Sequence, residues 1–192
     1  MEKNYIKVID NFLKPTYHNE IKRILEGDMF PWFYKSNISL PSEMIKTDEL
    51  TSYGFFHMLD NNSPYGKFFT PFFYDCIDTI GAKEVIRARA DMTMYSHKEK
   101  THEPHVDMPN KNHWSVIYYV NDSDGDTIVY DELYDKKYEE DPMYTYKPED
   151  FTEIKRVSPK ANRLFIFNGL NMHTGQSPTK HKNRIIINCN FV

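Results

Sequence analysis

The sequence predicts a mainly β protein, a sandwich or jelly roll that carries helices at its N-terminal end. Three observations predict it. Helical patterns are confined to the first 84 residues; from Val85 onward the chain alternates, with no helical pattern obvious between the later strands; and aromatics reach 15%, with 14 Tyr and 13 Phe against only 7 Gly. Aromatic and β-branched side chains suit a pleated, half-buried surface, and helices followed by a run of strands form layers around one core.

The elements follow in order. YIKVID reads as a short strand, and NFLKPTYHNEIKRILEG as a helix with Pro15 near its start and Gly27 at its end. Ile21, Ile24 and Leu25 recur at helical spacing, so one face of that helix packs inward. The aromatic segments FPWFYKSN and SYGFFHML are strands or extended loops. A second helix covers Tyr65 to Ile80, closed by Gly81 and interrupted by Pro71. In VIRARADMTMY, residues Arg87, Arg89, Asp91, Thr93 and Tyr95 share one face, and Ala88, Ala90, Met92 and Met94 the other. WSVIYYVN, DTIVYDE, RLFIFNG and RIIINCNFV are further strands. Glu132 to Pro159 is a Tyr-rich acidic stretch with Pro142 and Pro148, long for a connection, and is expected to be a lid, a partner surface or a solvated insertion.

Length and charge bound the function. A chain of 192 residues fits one domain, spanning 1–192, with 1–84 as a helical and aromatic support region and 85–192 as the β core. Cys76 and Cys189 are too few for a secreted disulfide framework and read as free thiols in a reducing compartment. No signal-peptide pattern opens the chain and no apolar run is long enough for a membrane span, so the expectation is a cytoplasmic protein that does not engage membranes. A net charge of -4 argues against nucleic acid as partner, since holding phosphates calls for a basic face.

His105 and Asp107 are separated by one residue, and in an extended chain positions i and i+2 point to the same side, so both reach one ion. Pro104 keeps Glu103 out of helical geometry. Chance alone nearly supplies one such pair, so the company it keeps decides. A facial triad needs a second imidazole from another strand, with the opposite positions left open. His173 is the candidate: it follows RLFIF and the turn residues Asn168 and Gly169, which reverse the chain towards the mouth of a barrel. Eleven residues later Arg184 opens RIIINCNFV, where a hairpin would return its planar guanidinium to the same mouth for two-point binding of a carboxylate. Two other pairs compete. His18 and Glu20 sit on a helix, where i and i+2 diverge by about 200°, and His97 with Glu99 lies in the polar run SHKEKTHE. His102 and His113 complete no same-face pair and are expected to be solvent-exposed loop histidines.

These residues resemble the 2-oxoglutarate and Fe(II)-dependent dioxygenases, in particular the prolyl hydroxylase branch. The likeness covers Arg87 to Val192 and rests on Tyr95, HVDMPN, IYYVN, RLFIFNG with His173 after it, and Arg184, in that branch's order. The resemblance implies a double-stranded β-helix (jelly roll, cupin-like) core. It implies that His105, Asp107 and His173 ligate Fe(II), that Arg184 pairs with the distal carboxylate of 2-oxoglutarate, that Tyr119 gives a hydroxyl to the same carboxylate, and that Tyr95 assists at the metal-proximal end. O2 is the other co-substrate, with ascorbate in a supporting role. Asp107 favours hydroxylation over halogenation, because halogenating relatives lack that carboxylate. Where many relatives carry a Gly-Gly pair, this chain has DSDGDTIVYDE with Gly125 alone. By the same resemblance the substrate is a prolyl residue of a protein or peptide. The competing readings are a nucleic-acid demethylase with the same cofactors and a metal-binding jelly roll without oxygenase activity.

Overall fold

The computed structural model describes residues 2–38, 53–59, 65–140 and 146–192. Among these residues, ten strands form two antiparallel sheets. The strands are β1 (Ile6–Asp10), β2 (Phe33–Lys35), β3 (Gly54–Met58), β4 (Val85–Met94), β5 (Trp114–Tyr119), β6 (Thr127–Leu133), β7 (Glu153–Val157), β8 (Arg163–Asn168), β9 (Asn171–Gly175) and β10 (Asn183–Phe191). The major sheet runs β1-β8-β5-β10-β4-β3-β2 and the minor sheet β7-β6-β9. Strands from the N-terminal region thus form both edges of the major sheet.

Alternation sorts each strand between two cores. On β5 and β10, Val116, Tyr118, Ile185, Ile187, Cys189 and Phe191 face helices α1 (Pro15–Leu25) and α2 (Gly66–Ile80), and with Ile21, Leu25, Phe69, Phe72 and Cys76 they make the larger core. The other face gives Ile117, Tyr119, Phe165, Phe167 and Ile186, which pack against Val129 of β6 and Val157 of β7 between the sheets. Both cysteines are free and buried.

Each helix shows why it forms where it does. Pro15 sits in the first turn of α1, and His18, Ile21 and Leu25 turn inward at helical spacing. Gly81, at φ 66°, ends α2 in the left-handed region that a side chain disfavours. Pro71 inside α2 has no amide hydrogen. Beside it the Tyr17 hydroxyl enters the helical ladder, donating to the Phe68 carbonyl (2.8 Å) and accepting from the Phe72 amide (3.3 Å). A phenol from α1 therefore bridges the loosened turn of α2.

For Glu132 to Pro159, the reading as a solvated insertion is corrected. Part of it is β7, paired with β6, and Tyr138, Tyr146 and Phe151 pack on Ile128, Tyr130 and Met172 over the outer face of the minor sheet. It is a cap on that sheet. Residues 141–145, with Pro142, lie outside the described residues. The expected hairpin into Arg184 is also corrected: β9 pairs in the minor sheet and β10 in the major one, so the chain crosses between sheets.

Asp124 pins that crossing. Its carboxylate accepts from the Thr179 and Lys180 amides, the Thr179 hydroxyl (2.8 Å) and His181 Nδ1 (2.8 Å). Burial alone would raise the carboxyl, but these donors outweigh it and hold its pKa well below the usual carboxylate range. Asp124→Ala is expected to cost about 1 to 3 kcal/mol, the net scale of hydrogen bonds to a charged group. A carboxyl depressed in the folded state contributes fully above its unfolded pKa, about 4, and that contribution fades as pH falls below it. The loss in urea midpoint is therefore expected at pH 7 and should shrink progressively below pH 4. An equal loss at pH 7 and pH 2 would remove Asp124 from this role.

Candidate metal centre

His105 and His173 face one another as an antiparallel bridge: each backbone amide donates to the other's carbonyl, at 2.9 and 3.0 Å. The bridge sets the imidazoles side by side, with ring centroids 4.8 Å apart. His173 therefore stands on β9 itself, and His105 on a segment that lies against β9 from Thr101 onward. His105 Nδ1 lies 3.0 Å from the Glu103 carbonyl and His173 Nδ1 3.0 Å from the Asn171 carbonyl. A carbonyl only accepts, so both Nδ1 atoms carry the hydrogen and both Nε2 lone pairs are left for a metal. Burial holds both rings below their ordinary pKa, His173 down to about 4 with His105 adding to the effect, so both are neutral at pH 7.

Asp107 completes the cluster: one ligand atom from each of His105, Asp107 and His173 lies within 4.8 Å of the others. Burial alone would raise its carboxyl, but Arg87, His173 and His105 outweigh it and hold the pKa well below the usual range. Its oxygens are oriented by Arg87 Nη1 (2.8 Å), by Asn188 Nδ2 (3.2 Å) and by Asn190 Nδ2 (3.1 Å). Two neutral imidazoles and one carboxylate, each held from behind, are the donor set that suits iron with one face left open. Sequence reasoning missed Arg87, Asn188 and Asn190 as holders, although alternation already put Arg87 on a polar face. In RIIINCNFV the two asparagines follow Arg184 at even spacing, so the same signal was available. Asn190→Ala is expected to weaken metal binding about 10- to 100-fold, the usual scale for removing a group that orients a ligand. Competition with a fluorescent chelator measures it, and unchanged affinity would contradict the assignment.

A cavity of about 70 Å³ opens beside the imidazoles, lined in part by Ile117, Thr127, His105, His173, Arg184 and Ile186. Arg184 enters from β10, 5% exposed, with its Cζ 5.7 Å from the Tyr119 ring centroid. Its Nη2 donates to Thr127 Oγ1 at 2.6 Å, while Nε has no hydrogen-bond partner among the described residues. Burial pulls the guanidinium below its ordinary pKa. The carboxylates that act on it, Asp91 and Asp126, are ion-paired to Arg89 and Arg156; a buried cation is costly without a direct counter-ion, so the cavity suits a carboxylate ligand. Gly125 lies against this arginine: a Cβ there would run into the Gln176 carbonyl and approach Arg184 Cδ.

The remaining sequence-derived residues divide. Tyr119 is fully buried and gives its hydroxyl to Thr127 Oγ1 (2.7 Å), so it reaches the cavity through Thr127. Tyr95 is 53% exposed, past the end of β4, and is absent from the cavity lining. The metal lies at the Arg87 end of β4, and Tyr95 lies beyond Thr93, which pairs with Arg184 at the other end, so its assignment to the metal-proximal end is corrected. His102 and His113, expected in solvent, are 2% and 0% exposed. His102 is drawn in because its amide bonds the Gly175 carbonyl and its carbonyl accepts from Thr174. His113 Nδ1 is held by the Lys111 carbonyl at 2.7 Å. His18 hydrogen-bonds the Tyr118 hydroxyl at 2.7 Å, and Glu99 accepts from Gln176, so neither competing pair reaches the cluster.

A sequence model described as "2OG-Fe(II) oxygenase superfamily" matches residues 90–192. No curated protein matches the chain by sequence. Among solved structures it is similar to the non-haem α-ketoglutarate-dependent epimerase SnoN from nogalamycin biosynthesis, with TM-score 0.67, 11% identity, and 99% of this chain against 79% of that one. It is similar to a prolyl hydroxylase from Trichoplax adhaerens in complex with a peptide fragment of a hypoxia-inducible factor, with TM-score 0.61, 14% identity, and 97% against 82% covered. It is also similar to HygX from Streptomyces hygroscopicus with nickel and 2-oxoglutarate bound, with TM-score 0.63, 10% identity, and 98% against 83% covered.

Proposed function

Since this chain belongs to the 2OG-Fe(II) oxygenase superfamily, we propose that it hydroxylates a C–H bond of a protein or peptide substrate, and that the target is a prolyl residue. One observation carries the chemistry: the two imidazoles of a His-Asp-His cluster and a buried arginine that ion-pairs no carboxylate among the described residues line a single cavity between the sheets. The prolyl target is supported by the likeness of Arg87 to Val192 to the prolyl hydroxylase branch and by the shared fold of the Trichoplax enzyme.

Each residue has a part. His105 and His173 offer neutral Nε2 atoms and Asp107 one negative charge, with Arg87, Asn188 and Asn190 fixing its oxygens. Arg184 pairs with the distal carboxylate of 2-oxoglutarate, and Thr127 and Tyr119 hold that guanidinium in place. Ile117 and Ile186 give the cavity wall an apolar patch. Iron, 2-oxoglutarate and O2 supply the oxidation of a C–H bond, coupled to decarboxylation of 2-oxoglutarate to succinate.

Following succinate formation with Fe(II), with and without blocked prolyl peptides, tests the reading, and mass spectrometry locates the added oxygen. Peptide-stimulated turnover lost in His105→Ala is expected. Equal, zero turnover in both proteins while the wild type still binds iron would overturn it.

A further inference from the structure

The register of β4 leaves two cavity positions without a role. Thr93 lies opposite Arg184, and Arg87 lies opposite Asn190 and bonds Asp107. Between those rows stand Asp91 opposite Ile186 and Arg89 opposite Asn188, both lining the cavity. They therefore sit between the anchor for 2-oxoglutarate and the metal ligands, on the side where β4 meets β3.

Asp91 Oδ1 is ion-paired to Arg89 Nε at 2.6 Å, with both side chains 17% exposed. Asp91 Oδ2 is shielded from solvent and has no hydrogen-bond partner among the described residues. A buried carboxylate oxygen without a donor is costly. 2-Oxoglutarate as a dianion presents oxygen acceptors only and cannot satisfy it, and O2 cannot either. Of the three reactants that meet in this pocket, only the substrate can bring a donor. Arg89 already balances the charge of Asp91, so a neutral N–H fits better than a cation. A prolyl nitrogen within a peptide carries no hydrogen, so the nearest backbone donor on its carboxyl side is the amide of the following residue.

We propose that Asp91, braced by Arg89, is a substrate-binding residue of this pocket and accepts the backbone N–H that follows the target prolyl residue. The inference rests on the prolyl-peptide reading above. It assigns the pocket a requirement for a hydrogen-bond donor at one position of the substrate.

Replacing that one amide by an ester removes the donor and leaves the shape. The probes are two pools of blocked hexapeptides with one prolyl residue and randomised flanks, identical except that the bond after the prolyl residue is an amide in one and an ester in the other. Wild type is expected to prefer the amide pool by about tenfold or more in kcat/KM, the scale of a hydrogen bond to a charged group, and Asp91→Ala is expected to treat both pools alike. The ratio is internal to each protein, so a general loss of activity does not imitate the effect. Should Asp91→Ala fold poorly, Asp91→Asn keeps the shape with a weaker acceptor and is expected to reduce the preference at least severalfold. A preference unchanged in these variants, or absent in wild type, overturns the inference while leaving the prolyl reading intact. Hydroxylation of neither pool by wild type overturns both.

Discussion

Arg184→Ala is expected to bind 2-oxoglutarate at least about 30-fold more weakly than wild type, from a loss of about 2 to 5 kcal/mol when one partner of a buried charge pair is removed. The size follows from the site: the guanidinium is buried, and its only described side-chain hydrogen bond goes to a neutral hydroxyl. An incoming carboxylate is thus the counter-ion, and in the variant the cation left in the described lining, Arg89, is already paired to Asp91. Calorimetry with Zn(II) in place of Fe(II) measures the affinity without turnover. Thermal unfolding gives a second reading. At one hundred times its own Kd the ligand stabilises wild type by about 2.7 kcal/mol, and at the same concentration the variant should gain less than about 1 kcal/mol. Arg184→Lys should recover only part, because an ammonium lacks the planar fork. Equal affinity in wild type and Arg184→Ala would remove Arg184 from the site.

Asp107→Ala is expected to abolish metal retention and, with it, turnover. It removes the one anionic ligand of the cluster and also strands Arg87, Asn188 and Asn190, which all point at the missing oxygens. Arg87 remains partly exposed, so the structural penalty is smaller than for a fully buried pair, about 1 to 3 kcal/mol. Metal analysis after anaerobic loading and desalting gives the first quantity and thermal unfolding the second. A variant that folds and still retains iron would show that the metal sits elsewhere.

Much of this was legible in the sequence because it is periodic. The i, i+2 relation of His105 and Asp107 needs only an extended chain, and alternation in WSVIYYVN places Tyr119 and Ile117 on one face and Tyr118 and Val116 on the other. RIIINCNFV likewise carries its isoleucines inward to the helices at odd positions. Other features depend on which strand lies beside which, and no local pattern encodes that. His102 is buried because its segment pairs with β9, some 70 residues away. Thr127 matters because β6 brings it under Arg184. Strand β7 escaped notice because EIKRV is mostly charged and exposed, as suits an edge position. Tyr95 failed for the opposite reason: its periodicity is right, but the register carries it past Arg184, away from the metal ligands.

Strand β10 presents Arg184, Ile186, Asn188 and Asn190 to the cavity side and Ile185, Ile187, Cys189 and Phe191 to the helices. Deleting one residue within it would exchange the two sets, placing asparagines among phenylalanines, and the protein would not fold. Deleting two would restore every face while bringing the arginine about 7 Å closer to the asparagines that hold Asp107. Such a chain could keep its core and its metal and still have no room for the co-substrate. The strand is therefore a ruler as well as a wall, and its length is under a constraint that its hydrophobicity does not reveal.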